Sequence, residues 1–136
     1  ENWLTYIVDP APEGAFIEKF GVTYIKSIYR PGLVNKPVHL ASMIYSLEHM
    51  RDPRSALVAV RKDLCDDGLL LVEVPDAHAF ARKPADDDIF NSCHLWLFDP
   101  ANLVRLLSET GFSVQALRLS RTLRGHFSLL TMAKVK

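Results

Sequence analysis

The chain has 136 residues, and its sixteen basic and sixteen acidic side chains cancel at neutral pH. That balance gives no global pull toward nucleic acid or an anionic membrane, and no apolar run approaches the roughly 20 residues that span a bilayer. The length suits one domain, residues 1–136, burying about two thirds of the surface its unfolded chain exposes.

Taken in order, Trp3 to Pro10 (WLTYIVDP) is a β-rich run ending on a carboxylate and a proline. Pro12 to Phe20 places Ala15, Phe16 and Phe20 at helical spacing, with Gly21 as the stop. Val22 to Tyr29 (VTYIKSIY) alternates as a strand with one partly polar face, and Arg30 to Pro37, with two prolines and a glycine, is a loop.

Val38 to Asp76 organises the rest. It reads as an apolar strand, a polar loop, a helix opened by Asp52-Pro53, a glycine stop at Gly68, and the strand LLLVEV. Ala56, Leu57, Val60 and Leu64 form one apolar stripe on that helix. LLLVEV is too continuously apolar for a strand with one wet face and predicts a sheet covered on both sides. Two such strands joined through a helix make a right-handed crossover, the unit of α/β folds.

After Asp76 comes a long irregular stretch holding the acidic run Asp86–Asp88, of a length typical of lids and binding loops. Asp99-Pro100 opens a second helix with Leu103, Leu106 and Leu107 facing inward and Gly111 behind it. Phe112 to Leu119 and His126 to Val135 are two further strands, joined by SRTLRG as an antiparallel hairpin. The two cysteines, Cys65 and Cys93, lie apart in apolar company and read as reduced thiols of a cytoplasmic protein. The opening Glu-Asn-Trp, without a basic leader, reads as a domain cut from something longer.

This order of elements, with Leu47-Glu48-His49, Asp52-Pro53, Gly68, Glu73-Val74-Pro75-Asp76, His94 through Pro100 and Gly111-Phe112, resembles the class I S-adenosylmethionine-dependent methyltransferases. The bacterial branch acting on small molecules is the most similar. The resemblance implies a Rossmann-like α/β fold, incomplete at its N-terminus, with a C-terminal antiparallel hairpin. It implies S-adenosylmethionine as cofactor and a small molecule as methyl acceptor. Asp9 matches the strand-ending acid whose carboxylate accepts from the cofactor ribose, two acceptor oxygens facing two adjacent hydroxyl donors. Its other reading is a plain strand-ending turn. Tyr45 falls where the family contacts the cofactor, as a proton donor or an aromatic wall.

The sequence departs from the family in three places. The glycine-rich turn and first strand are absent, which leaves a gap in the middle of the expected sheet. No carboxylate lies between Glu18 and Glu48 to hold the adenine amino group, and His39 stands where an aspartate is usual. These departures imply weak or absent cofactor binding by the 136 residues alone. They also keep open a non-catalytic, degenerate scaffold, and exposed sheet edges raise self-association.

Methyl transfer from a sulfonium is a displacement that needs alignment and, for many acceptors, a base. His49 and His94 are the candidate bases, because imidazole titrates near neutrality. Either could instead order its loop. Glu48 and Trp96 are candidate substrate contacts, Glu48 alternatively orienting His49 or being a solvated acid before the helix. His39, His78 and His126 lack partners at metal-ligand spacing, so sequence spacing assigns no metal site.

Overall fold

The computed structural model describes residues 3–11, 16, 18–87, 90, 93–122 and 125–136. The chain divides into two compact units, Glu1–Pro37 and Val38–Lys136, and its strands form two sheets.

In the first unit, Thr5–Asp9 (β1) and Val22–Lys26 (β2) run parallel, from Thr5 opposite Val22 to Asp9 opposite Lys26. A parallel pair needs a crossover between its strands. The helix expected there falls mostly on residues 12–15 and 17, outside the described residues. What is described is a tight turn at residues 18–20, closed by the Gly21 amide donating to the Glu18 carbonyl at 3.0 Å. Phe16 and Phe20 are largely exposed and flank the Lys19 ammonium, 5.5 and 5.1 Å from their ring centres.

The second unit carries the crossover and the hairpin. Its strands are Val38–Ile44 (β3), Leu64–Pro75 (β4), Phe112–Arg121 (β5) and Phe127–Val135 (β6), in spatial order β3-β4-β6-β5. β3 and β4 are parallel, and both β4–β6 and β5–β6 are antiparallel. The expected crossover and C-terminal hairpin are both present.

The crossover helix, Pro53–Asp63 (α1), starts as the sequence predicts. The Asp52 carboxylate accepts from the Ser55 amide at 3.0 Å and from its hydroxyl at 2.5 Å, with Pro53 in the first turn. Leu57, Val60 and Leu64 are buried and Ala56 half-buried. The end differs. α1 stops at Asp63, five residues before Gly68, and Leu64 leaves it in extended conformation. Gly68 instead sits inside β4, where the strand makes an excursion: Val38 faces Leu64, yet Leu40 faces Leu69. A Cβ on Gly68 would lie 2.9 Å from both the Cys65 carbonyl oxygen and the Leu64 Cβ. Glycine is required there for close approach of the chain to itself, not for a left-handed helix cap.

β4 also differs from the expected double-sided burial. Leu70, Val72 and Val74 are fully buried, whereas Leu71 and Glu73 on the other face are half-buried. The reason is its position in a mixed sheet, with an antiparallel β6 on one side.

The second helix, Pro100–Glu109 (α2), has a reciprocal cap. The Asp99 carboxylate accepts from the Asn102 amide at 2.8 Å, and the Asn102 side chain accepts from the Asp99 amide at 3.0 Å. Leu103 and Leu107 are fully buried, and α2 packs on β5. Gly111 follows with φ +91°, a left-handed residue just beyond the helix. Its carbonyl accepts from Arg61 of α1, whose guanidinium also reaches the Lys136 carbonyl, tying α1 to the turn before β5 and to the last residue. The core of this unit is thus Leu57 from α1, Leu70, Val72 and Val74 from β4, Leu103 and Leu107 from α2, Phe112 from β5 and Leu129 from β6.

Candidate active site

The candidate site lies at the carboxyl end of β3, where ligands bind in open α/β sheets. β3 ends at Ile44, and Tyr45 takes φ +49°, a left-handed conformation unfavourable for a bulky side chain. Three groups hold it there. The Tyr45 amide donates to the Glu73 carbonyl at 2.8 Å, and the Tyr45 hydroxyl donates to Glu73 Oε1 at 3.1 Å. The same oxygen accepts from the Ser128 hydroxyl at 2.6 Å. Burial, with Ser128 opposing it and Glu73 reinforcing it, pushes the Tyr45 phenol above its usual range, so it stays a neutral donor.

The strained residue turns the chain into a short 3-10 turn, Leu47–His49. Leu47 is fully buried, which drives Glu48 inward beside it, only 1% exposed. Glu48 is therefore not a solvated acid before the helix. Among the described residues, neither of its carboxylate oxygens has a hydrogen-bond partner. Burial raises its proton affinity. A buried carboxylate without a hydrogen bond costs several kcal/mol and calls for an explanation.

Two imidazoles face that carboxylate. His49 Nε2 and His94 Nε2 each lie 3.9 Å from Glu48 Oε1, and the two rings are 4.9 Å apart between centres, tilted by 50°. His49 Nδ1 lies 2.9 Å from the Cys93 carbonyl oxygen. A carbonyl only accepts, so Nδ1 carries the proton and Nε2 presents its lone pair to the cluster. His94 is more enclosed than His49, and burial together with His49 holds it below the usual imidazole range, hence neutral at neutral pH.

The loop bearing His94 is fastened over this turn. The Leu95 and Trp96 amides donate to the Glu48 carbonyl at 2.9 and 3.2 Å, and the Trp96 indole donates to the Met50 carbonyl at 2.8 Å. Phe98 is buried and bridges Asp76, anchoring the loop on its far side. The sequence candidates Glu48, His49, His94 and Trp96 thus meet in one place, with Tyr45 at the strand end beside them.

Asp9 lies in the first unit, at the end of β1, and its Oδ1 accepts from the Ala11 amide at 2.6 Å, the geometry of a strand-ending turn. Asp88, from the acidic run, lies outside the described residues. Sequence reasoning missed Glu73 and Ser128 as the fixings of Tyr45. The available signal was Glu73 itself, one carboxylate inside an otherwise apolar run.

Sequence and structure comparisons place this arrangement among known proteins. A search of curated proteins gives no match. The chain is similar in structure to an S-adenosylmethionine-dependent methyltransferase from Clostridium acetobutylicum, at 10% identity and a TM-score of 0.72, covering 98% of this chain and 75% of that one. It is similar to S-adenosylmethionine-dependent methyltransferases from Methanosarcina mazei at 12% identity and a TM-score of 0.69, covering 96% and 81%. It is also similar to the N-methyltransferase NodS of Bradyrhizobium japonicum, solved with S-adenosyl-L-homocysteine, at 13% identity and a TM-score of 0.72, covering 97% and 66%. At these identities the likeness shows the α/β class I methyltransferase fold. The sequence profile of one family, described as a methyltransferase domain, matches residues 2–117. By that match the chain belongs to the methyltransferase domain family.

Proposed function

We propose that this domain takes part in S-adenosylmethionine-dependent methyl transfer to a small-molecule acceptor. The observation that carries the reading is the Glu48–His49–His94 cluster at the carboxyl end of β3, with His49 Nε2 held as a lone-pair acceptor by the bond from Nδ1 to Cys93. The cofactor supplies the methyl group on a sulfonium centre. The chain's own residues align the acceptor and take its proton. His49 accepts that proton on Nε2, and buried Glu48 beside it stabilises the imidazolium that forms. His94 and Trp96 enclose the acceptor from the loop, and the fixed Tyr45 hydroxyl marks the strand end against which the cofactor would lie.

The residues present fit part of a cofactor cradle. The exposed Asp9 carboxylate, at the carboxyl end of a parallel strand, suits a ribose diol. The six glycines of the chain lie singly, and none forms the glycine-rich turn that brings backbone amides to the cofactor. A second reading is a non-catalytic scaffold of the same fold. A small-molecule partner and a cytoplasmic location belong to the first reading. The two free cysteines support the location.

Calorimetric titration of the chain with S-adenosylhomocysteine tests cofactor binding by these residues. Weak binding is expected, reduced further by Asp9→Ala. No heat at millimolar ligand would reject a competent cofactor site built from these residues alone, and binding unchanged by Asp9→Ala would reject the ribose role.

A further inference from the structure

We propose that Glu48, His49 and His94 form a three-ligand site for a divalent transition metal of the zinc class. Their ligand-capable atoms, one carboxylate oxygen and two imidazole nitrogens, all lie within 4.8 Å of one another, and both carboxylate–imidazole separations are 3.9 Å. Ligand atoms on a tetrahedral zinc ion are about 3.4 Å apart. A contraction of about half an ångström brings each carboxylate–imidazole edge to that spacing, and the imidazole–imidazole edge, within 4.8 Å, closes with it by up to about 1.4 Å. His49 belongs to the 3-10 turn and His94 to the loop fastened over it.

Three independent features point to a cation. The Glu48 carboxylate is 1% exposed with no hydrogen-bond partner among the described residues, and a metal ion is the partner that would repay its burial. His49 donates its Nδ1 proton to the Cys93 carbonyl. This outer bond, which fixes the tautomer and directs the other nitrogen inward, is the one that metal-ligating histidines nearly always make. The side chain of His49 is 41% exposed, which leaves a way in for an ion and coordination positions for a further ligand. Two nitrogens and one carboxylate oxygen suit zinc, cobalt or iron, whereas magnesium and calcium prefer oxygen ligands alone. Sequence spacing assigned no metal site, because His94 stands 45 positions from His49 and only the fastened loop joins them.

Ion binding does not depend on the methyl-transfer reading. Its catalytic use does: a bound ion would occupy the imidazole lone pairs and lower the proton affinity of an acceptor hydroxyl in their place.

Titration of the chain with cobalt(II), followed by its visible d–d absorption, tests the site without any cofactor. One equivalent is expected to bind with tetrahedral-type intensity, to be displaced by zinc, and to resist excess magnesium. Glu48→Gln and His94→Ala should each weaken binding at least tenfold, while His78→Ala leaves it unchanged. Circular dichroism of each variant separates ligand loss from unfolding. No absorption change, equal affinity in Glu48→Gln, or a thiolate charge-transfer band abolished by Cys93→Ser would overturn the assignment.

Discussion

Tyr45 shows how one unfavourable backbone angle is held in place by its neighbours. Its φ of +49° persists because the amide, the phenol and β6 all converge on Glu73. Ser128 is fully buried, and its hydroxyl makes the shorter of the two side-chain bonds to that carboxylate. Ser128→Ala should lower stability by about 1–2 kcal/mol, read as a reduced urea midpoint at unchanged slope. An unaltered midpoint would show that Tyr45 alone satisfies Glu73. At this scale the sequence supplied residue identities and little else. Tyr45 was legible as a candidate through the family resemblance and Glu48 and Trp96 through the histidines near them in sequence, yet the burial of Glu48 was not. It follows from Leu47 being drawn into the core one residue earlier.

The elements were more legible than their boundaries. Both helix starts follow from Asp-Pro pairs, because a capping carboxylate and a pre-set φ act within four residues and need no tertiary partner. The Asp52 carboxylate is held below its usual range by the Ser55 hydroxyl first and the Ser55 amide second. A carboxylate depressed in the folded state stabilises in full above its unfolded pKa, about 3.9, and loses that contribution as pH falls through the lower folded value. Asp52→Asn should therefore flatten the acid limb of the stability–pH curve below about pH 4 and leave the curve's shape near neutrality unchanged. An acid limb identical to the parent's would refute the linkage. Gly68 was misplaced because a glycine after an apolar stripe commonly ends a helix, and only the β3–β4 register shows it inside a strand. Gly68→Ala sets a Cβ against main-chain and Cβ atoms that cannot swing away, and should cost about 1–3 kcal/mol in thermal or urea unfolding. A neutral result would mean that the excursion at residues 65–68 relaxes freely.

For the whole molecule, the strands form a parallel pair and a separate four-stranded mixed sheet instead of one continuous sheet. β3 is an edge of the second sheet, with Leu40 and Ile44 about half exposed, a pattern that invites pairing with another chain. We expect association that increases with concentration, seen as a rising mass in light scattering after size-exclusion chromatography. A monomer throughout the micromolar range would argue that this edge is protected.

What the sequence by itself determined is the local alphabet: two capped helices, the apolar strands, the hairpin and the resemblance to methyltransferases. Each of these depends on periodicity or on residues within a few positions of one another. Only the tertiary structure decided that Glu48 is buried with no hydrogen-bond partner among the described residues and that His94 crosses 46 positions to face it. It also decided that Tyr45 is pinned by Glu73 and Ser128 from two other strands. Those facts depend on which loop is fastened over which turn. That is settled by core burial and long-range hydrogen bonds, and neither leaves a periodic trace in the chain.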